Sequence, residues 1–150
     1  MKADSIVTQK KRPKTKTLIY HGITFKSRLE VYAYKKLTEA KLKFDYERYS
    51  FVLMNKFDFN GKSMEMYRRK GEKVFGWQAP LTRSITYKPD FVNLRDGWII
   101  ETKGHPNDAF PNKWKLFKKY LNDNEFKVDL FMPRNHKHVD IIVEYIKKNY

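Results

Sequence analysis

Apolar and polar residues follow two different periods along this chain, and each period predicts one type of element. Residues 17–25, TLIYHGITF, contain two short apolar runs around His21-Gly22 and predict a β-hairpin. Residues 27–43 repeat apolar positions every three or four residues, which predicts an amphipathic helix. The apolar stripe of this helix consists of Leu29, Ala33, Leu37 and Ala40. Residues 44–53, FDYERYSFVL, alternate in character and predict a strand.

A less regular stretch separates these elements from the second half of the chain. We interpret residues 54–81 as a β-rich insertion, with Asn60-Gly61 at a hairpin tip and MYRRKGEK as a basic loop. After it, SITYKPDFV and GWIIETK predict a hairpin, PNKWKLFKKYLND a basic helix, FKVDLFM a strand and HVDIIVEYIKKNY a closing helix. This order of elements predicts an α/β fold in which helices flank a mixed β-sheet.

Length and composition limit the classes of protein to consider. We predict a single domain at residues 18–150, preceded by a flexible basic arm at residues 1–17. The chain has no cysteine, which excludes disulfides, thiolate catalysis and cysteine-ligated metal sites. No apolar run reaches the length of a membrane span, and the lysine-rich start lacks the apolar centre of a signal peptide. We therefore expect a cytoplasmic protein without a membrane partner.

The strong positive charge indicates the kind of partner. The formal net charge is +15, from 32 Lys and Arg residues against 17 Asp and Glu residues. Basic residues in this number add affinity for nucleic acid that does not depend on base sequence. A merely soluble basic protein, or one bound to anionic lipid, is the alternative. In the arm, Lys10, Lys11 and Arg12 are candidates to wrap around DNA, and a solubilising tail explains them equally well.

The stretch KPDFVNLRDGWIIETKG at residues 88–104 carries the candidate chemistry. Because strand side chains alternate between faces, Glu101 and Lys103 point the same way and Thr102 points to the other face. If Asp96-Gly97 forms a two-residue turn, Asp90 lies across from Lys103 and diagonal to Glu101. The three charged groups then converge, provided that the register does not slip by one residue.

Two carboxylates held this close repel each other unless a cation lies between them. Mg²⁺ suits such an oxygen site, can lower the pKa of a bound water and can offset charge on phosphorus. Lys103 can then orient or deprotonate that water. The hairpin is thus a candidate site for phosphodiester hydrolysis, with a structural ion-pair cluster as the alternative. The spacing Glu-x-Lys also occurs at Glu39 and Glu125, so the informative unit is the whole hairpin.

At these residues the chain resembles a known group of nucleases. Pro89-Asp90 followed by Glu101-Thr102-Lys103 resembles the PD-(D/E)xK signature of the restriction-endonuclease-like superfamily. The segments FKSRLEVYAYKKL, KFDYER, ITYKPDFV and IIETKG are similar, in that order, to phage endonuclease I-type Holliday junction resolvases and related small phage nuclease domains. The resemblance implies a restriction-endonuclease-like core of αβββαβ type.

The resemblance also implies an activity and a set of residues. It implies a Mg²⁺-dependent endodeoxyribonuclease, with Mn²⁺ as a possible substitute. Asp90, Glu101 and the backbone carbonyl of Thr102 would ligate the metal, and Lys103 would assist the attacking water. Glu30 would complete the site from the first helix. However, Ser27-x-x-Glu30 is also a capping box worth about 1 kcal/mol, so the cap remains an alternative role for Glu30.

The substrate and the assembly implied by the resemblance concern DNA. The helix after the signature would flank the DNA groove, which makes Lys113 and Lys118 candidate phosphate contacts, although a solvated helix face explains them as well. The substrate would be branched DNA such as a Holliday junction, bound by a homodimer in the cytoplasm, the host cytoplasm for a phage protein. The alternatives are a nicking or linear-duplex nuclease of the same fold and a non-catalytic DNA-binding or packaging protein.

Overall fold

The structure is a computed structural model that describes residues 17–150. The candidate DNA contacts Lys10, Lys11 and Arg12 lie outside these residues. The helices are α1 (Arg28–Glu39), α2 (Phe110–Asp123) and α3 (His136–Asn149). The strands are β1 (Leu18–Tyr20), β2 (Ile23–Phe25), β3 (Asp45–Tyr46), β4 (Phe51–Met54), β5 (Phe57–Asp58), β6 (Met64–Arg69), β7 (Glu72–Trp77), β8 (Leu81–Thr82), β9 (Ile85–Tyr87), β10 (Phe91–Asn93), β11 (Trp98–Ile100) and β12 (Asp129–Phe131). The mixed α/β class predicted from the sequence is confirmed.

A four-stranded mixed sheet forms the centre of the fold. Its order is β12-β11-β10-β3, with β11 parallel to β12 and antiparallel to β10, and with β10 antiparallel to β3. Successive side chains of β10 and β11 point to opposite faces of this sheet, and all six residues of the two strands are buried. This double burial explains why both strands are short and strongly apolar.

Two hydrophobic cores lie on the two faces of the sheet. On one face Phe91, Trp98 and Ile100 pack against α1 and α3. On the other face Val92 and Ile99 pack against α2 and against residues of β4 and β9. The helix residues in the two cores are Ala33, Leu37, Val139, Val143 and Ile146 on the first face, and Phe110, Phe117 and Leu121 on the second.

The helices begin at local sequence signals. Ser27 caps α1 by accepting a hydrogen bond from the Glu30 N–H at 3.1 Å, and Asn135 caps α3 in the same way. The first helix ends at Glu39, four residues before its predicted end, and Lys41 then adopts a positive φ of 57°. A helix with the length and apolar surface needed to span a bilayer is not found within residues 17–150.

Two strands predicted as continuous are each divided in two, and the breaks face each other. Tyr46 in β3 pairs with Phe91 in β10, whereas Phe51 in β4 pairs with Tyr87 in β9. Between the two ladders Glu47 has a positive φ of 45°, and its N–H donates to the Asp90 carbonyl at 2.8 Å. Pro89, the next residue of the facing chain, has no N–H to donate. The ladder is therefore interrupted where the chain leaves the central sheet.

The insertion is a β-ribbon, and the predicted hairpin tip at Asn60-Gly61 is wrong. Three antiparallel pairs follow one another outward, β4 with β9, β5 with β8 and β6 with β7, and we call residues 51–87 the ribbon. Its tip lies at Lys70-Gly71, with φ angles of 50° and 89°, inside the segment predicted as a basic loop. The Phe59 ring instead lies close to the backbone of Gly61, where a Cβ would be only 2.7 Å from the ring.

Candidate active site

Asp90 and Glu101 face each other across β10 and β11 at one edge of the central sheet. The register pairs Phe91 with Ile100, so the next position outward pairs Asp90 with Glu101. The predicted register, with Asp90 across from Lys103, is wrong by two residues. A shift of two preserves the face, and directly opposed residues have Cβ atoms about 4.5–5.5 Å apart. The two acids are therefore closer than predicted.

The turn between the two strands explains this register. It spans four residues instead of two, and the Gly97 N–H donates to the Asn93 carbonyl at 2.9 Å. The Asn93 side chain also accepts a hydrogen bond from the Asp96 N–H at 2.8 Å. Gly97 has a φ of 86°, and a Cβ there would lie 3.0 Å from the Lys127 carbonyl oxygen. This position therefore requires glycine.

Asp90 is buried and is oriented by Thr102. The amide and the hydroxyl of Thr102 both donate to Asp90 Oδ2, at 2.8 and 2.6 Å. The prediction that the Thr102 side chain points away from the acids is wrong, because regular strand geometry ends at Ile100. Burial raises the pKa of Asp90 well above its usual range, the nearby charges of Glu101 and Glu30 raise it further, and the Thr102 hydrogen bonds oppose the shift.

Glu101 is also buried, and one of its oxygens is free. Lys103 Nζ lies 3.5 Å from Glu101 Oε1, whereas Oε2 is buried without a hydrogen-bond partner. Burial raises the pKa of Glu101, and Tyr87 and Lys103 oppose the shift. The Tyr87 hydroxyl is close enough to lower the pKa of Glu101. Like Glu101 Oε2, however, Tyr87 Oη has no partner of ordinary hydrogen-bond geometry. We therefore treat the contact between Tyr87 and Glu101 as electrostatic.

Lys103 is held between the acids and the second helix. Its ammonium lies 4.3 Å from the centre of the Phe110 ring, at the first residue of α2. Its backbone N–H donates to the Pro133 carbonyl at 3.0 Å, so pairing with the chain beyond β12 continues past the end of regular strand structure. A quarter of the side chain remains exposed, which leaves the ammonium accessible from solvent.

Glu30 is near this pair but is engaged elsewhere. Its Oε2 accepts hydrogen bonds from the Tyr46 hydroxyl at 2.7 Å and the Lys26 N–H at 3.0 Å. Its Oε1 accepts from the Ser27 hydroxyl at 3.0 Å, so the capping interaction is present. Among the side chains of residues 17–150, no three His, Asp or Glu groups are gathered closely enough to bind a metal by themselves. The structure thus brings Asp90 and Glu101 together and keeps Glu30 at the helix cap.

A basic cleft of about 540 Å³ adjoins the chain just after Lys103. Its lining includes Arg28 at the start of α1, Arg134 and Lys137 around the start of α3, and Gly104. The Arg134 guanidinium donates to the Gly104 carbonyl at 3.1 and 3.3 Å. Helix N-termini and guanidinium groups both favour anions, so this cleft can accept phosphate.

Sequence reasoning did not find all of these residues. The cationic side of the basic cleft has no motif, since Arg28 and Arg134 are distant in the sequence and meet through the fold. Tyr87 shares a strand face with Ile85, but no sequence signal indicates that its hydroxyl faces Glu101. A local signal exists for Arg134, which comes directly before the Asn135 cap of α3.

The two lysines predicted as DNA contacts lie on α2. Lys113 is half-buried and lines a cleft of about 400 Å³ together with residues 84–86. Lys118 is exposed, and its Nζ lies 5.9 Å from the centre of the Trp114 ring. Lys113 is one turn from Phe110 and therefore close to the start of the helix where Lys103 rests. Contact with DNA stays a prediction for both lysines.

No protein-family model, no curated protein and no solved structure matches the chain. Function therefore has to be inferred from the geometry and the chemistry of Asp90, Glu101, Lys103 and their surroundings.

The donors present at the pair fit a hard divalent cation. Thr102 occupies Asp90 Oδ2, which leaves Oδ1 available, and Glu101 Oε2 is buried without a partner. The raised pKa values of both acids indicate that their negative charges are poorly compensated by the protein. Mg²⁺ is commonly bound by one or two carboxylates, with water and substrate phosphate as its other ligands.

Proposed function

We propose that the protein is a Mg²⁺-dependent endodeoxyribonuclease. The observation that carries the proposal is a pair of buried, directly opposed acids, Asp90 and Glu101, with the Lys103 ammonium 3.5 Å from one of them. Buried acids with raised pKa values and a specific charged neighbour are more frequent at functional sites than elsewhere. A structural ion pair alone does not account for an unpartnered carboxylate oxygen in the interior.

The topology supports a restriction-endonuclease-like core. The elements of the central sheet and its helices follow along the chain as α1, β3, β10, β11, α2, β12 and α3. The first six are in the αβββαβ order that the sequence resemblance implies, and α3 is an additional helix at the end. The ribbon is inserted between the first and second strands of this series. The candidate acids lie directly before the second strand and directly after the third, at the positions of the PD-(D/E)xK-like signature.

In this proposal each residue has a separate task. Asp90 Oδ1, Glu101 Oε2 and the Thr102 carbonyl would hold the metal, with Glu30 as a further acid from α1. When bound, Mg²⁺ lowers the pKa of a coordinated water and offsets the negative charge that develops on phosphorus. Thr102 fixes the orientation of Asp90 through two hydrogen bonds. As an ammonium, Lys103 would orient the attacking water by donating to it, and only as a neutral amine could it accept the proton of that water.

The proposed substrate is DNA. The net charge of +15 provides general affinity for a polyanion. The basic cleft next to Lys103 would bind a phosphate beside the scissile one, and Lys113 would contact the backbone further along. By resemblance the substrate is branched DNA, cut by a homodimer whose two-fold symmetry presents two active sites to opposing strands.

A cleavage assay tests the proposal. Purified protein is incubated with a four-way junction, a flap, a linear duplex and a single strand, each with Mg²⁺, Mn²⁺, Ca²⁺ or EDTA. We expect cutting with Mg²⁺ or Mn²⁺, strongest on the junction, and no cutting by the Glu101→Ala variant. Preferential cutting of linear duplex would favour a nicking or linear-duplex nuclease of the same fold. Binding without cleavage under every condition would refute the nuclease and favour a DNA-binding module.

A further inference from the structure

Within residues 17–150, the outer end of the ribbon is a hairpin that forms a sheet of its own and leaves one face largely exposed. Strands β6 and β7 contain six residues each and pair with each other in a separate two-stranded sheet. We call residues 64–77 the distal hairpin. Strands of this length extend about 20 Å. A lone hairpin is only marginally stable in water, and among the described residues the apolar face of this one remains exposed.

One face of the distal hairpin is apolar and exposed. The cross-strand pairs on this face are Met64 with Trp77 and Met66 with Phe75. These side chains are 46%, 59%, 62% and 65% exposed in the order Met64, Trp77, Met66 and Phe75. The opposite face contains Tyr67 and Val74, which are half-buried. Four large apolar residues therefore point to water where polar residues would be expected.

Positive charge continues this face toward the tip. The next pair on the same face is Arg68 with Lys73, and Lys70 forms the turn with Gly71. Between Lys62 and Trp77 the chain has five basic and two acidic residues. This charge opposes the pairing of two identical hairpins and favours a polyanion. Aromatic rings beside cations are the chemistry that binds single-stranded nucleic acid, since bases stack on the rings and phosphates pair with the cations.

A cleft of about 340 Å³ lies at the base of the distal hairpin. Phe59, Trp77 and Pro80 supply apolar walls, and Lys62 lies at the opening with its Nζ 5.9 Å from the centre of the Trp77 ring. Gln78 also lines the cleft, and its amide nitrogen is buried without a hydrogen-bond partner. A planar ring that carries hydrogen-bond acceptors satisfies both features, because it can stack on the aromatic walls and accept from this amide.

We propose that the distal hairpin and the cleft at its base bind unpaired nucleobases of the DNA substrate. Bases stack on Phe75 and Trp77, the Gln78 amide donates to a base that enters the cleft, and Arg68 and Lys73 pair with the adjacent phosphates. The inference rests on the proposed function and deepens it. It makes the ribbon the part of the protein that selects DNA with unstacked bases, such as a branch point or a single-stranded end.

Equilibrium binding in EDTA tests the inference without cleavage. Fluorescently labelled oligo-dT and a linear duplex are compared for two variants, the double variant Phe75→Ala/Trp77→Ala and the single variant Gln78→Met. The matched control is Ile141→Ala/Tyr145→Ala, which truncates two exposed apolar residues of α3. Intrinsic fluorescence gives a second readout, because Trp77 is exposed whereas Trp98 is buried, and a stacked base quenches the exposed ring.

We expect the double variant to bind oligo-dT about 10-fold more weakly or worse, because each stacked base contributes about fivefold or more and the variant removes two rings. Its affinity for linear duplex should stay near that of wild type, as should both affinities of the α3 control. The Gln78→Met variant should melt no lower than wild type, since it removes an unsatisfied buried donor, and should still bind oligo-dT more weakly. Oligo-dT should quench the fluorescence of wild type and not that of the double variant.

Three results would overturn the inference. One is unchanged binding of oligo-dT by the variants, and another is an equal loss for duplex and oligo-dT. The third is a double variant that binds DNA as wild type does but differs from it in another property. A difference in sedimentation would assign the apolar face to a second copy of the chain, and a difference in binding to anionic phosphatidylserine vesicles would assign it to lipid. If both variants cleave every DNA substrate as wild type does, this inference is refuted and the proposed function remains. A protein that never cleaves but shows the expected binding pattern would lose the nuclease proposal and keep base recognition.

Discussion

Thr102 directs both its amide and its hydroxyl to a single oxygen of Asp90, at 2.8 and 2.6 Å. Both bonds stabilise the carboxylate form, yet the pKa of Asp90 is raised because burial and the charge of Glu101 outweigh them. The site therefore holds an acid in a fixed orientation under conditions that disfavour its ionisation. Such an arrangement is unfavourable for folding and suits a residue that receives a cation.

The first prediction concerns the stability of the metal-free protein. The pKa of Asp90 is higher in the folded state than in the unfolded chain, so its stabilising contribution is present below pH 3.8 and is lost as the pH rises through the raised value. We therefore expect Asp90→Asn to melt above wild type at pH 8 in EDTA and to be inactive. Calorimetry at pH 5 and pH 8 measures this difference, with the exposed Asp123→Asn as a control. If Asp90→Asn melts well below wild type at pH 8, the ionised Asp90 carboxylate does not destabilise the folded protein, and the prediction is wrong.

The second prediction concerns added metal. A ligand that binds the folded state alone raises the melting temperature, and a metal requires deprotonated ligands. Ca²⁺ should therefore stabilise wild type more at pH 8 than at pH 6, because the pKa values of Asp90 and Glu101 are both raised. Asp90→Asn and Glu101→Gln should lose the effect. An equal shift in these variants would mean that the metal binds elsewhere.

The third prediction concerns Tyr87, a positioning residue in our proposal. Its hydroxyl is buried without a hydrogen-bond partner, so Tyr87→Phe should leave stability unchanged or raise it by about 1 kcal/mol. Because Tyr87 lowers the pKa of Glu101, the variant should need a higher pH to reach half-maximal cleavage. A pH profile of cleavage at saturating Mg²⁺ measures the shift. An unchanged profile would leave Tyr87 with a packing role alone.

Much of the candidate site could be predicted from the sequence, because the face on which a strand side chain lies depends only on whether its position is odd or even along the strand. Asp90, Glu101 and Lys103 share a face in any register that differs by two residues, so the error in the turn left the grouping correct. The register itself depends on Asn93 and on the approach of Gly97 to the Lys127 carbonyl, which are contacts between distant parts of the chain. Sequence patterns do not report such contacts.

A β-rich insertion could be predicted at residues 54–81, but the strand pairing of the ribbon could not, for a different physical reason. Its outer strands expose apolar residues such as Phe75 and Trp77, so the usual relation between apolar positions and burial does not hold there. Its three pairs are also nested, and β4 and β9 are joined across more than thirty residues of chain. Asn60-Gly61 has the composition of a hairpin turn, but the chain does not reverse there, and Gly61 instead leaves room for the nearby Phe59 ring.

The fourth prediction separates the two roles of Glu30. Glutamine can serve in a capping box and can accept a hydrogen bond from the Tyr46 hydroxyl. Glu30→Gln should therefore change the free energy of unfolding by no more than about 1 kcal/mol. In our proposal the carboxylate also serves the metal, and the variant should lose cleavage about tenfold or more. Melting and cleavage are measured on the same preparation. Normal turnover in a stable variant would assign Glu30 to the cap alone.

The fifth prediction concerns the ammonium of Lys103. Methionine has a similar length and can still pack on the Phe110 ring, so Lys103→Met removes the charge while preserving the apolar contact. We expect cleavage to fall about 10²- to 10⁴-fold, the range typical for loss of a group that transfers a proton. Binding of DNA should change little, because the protein retains many other cations.

The matched control for this variant is Lys119→Met on α2, which removes an exposed lysine that pairs with Asp123. It should cleave as wild type does. Loss of the Lys103 charge also raises the pKa of Glu101, which weakens metal binding near neutral pH. Cleavage of Lys103→Met that recovers fully at high pH and high Mg²⁺ would therefore mean that Lys103 acts through Glu101. A deficit that persists under those conditions would mean that the ammonium acts on the water itself.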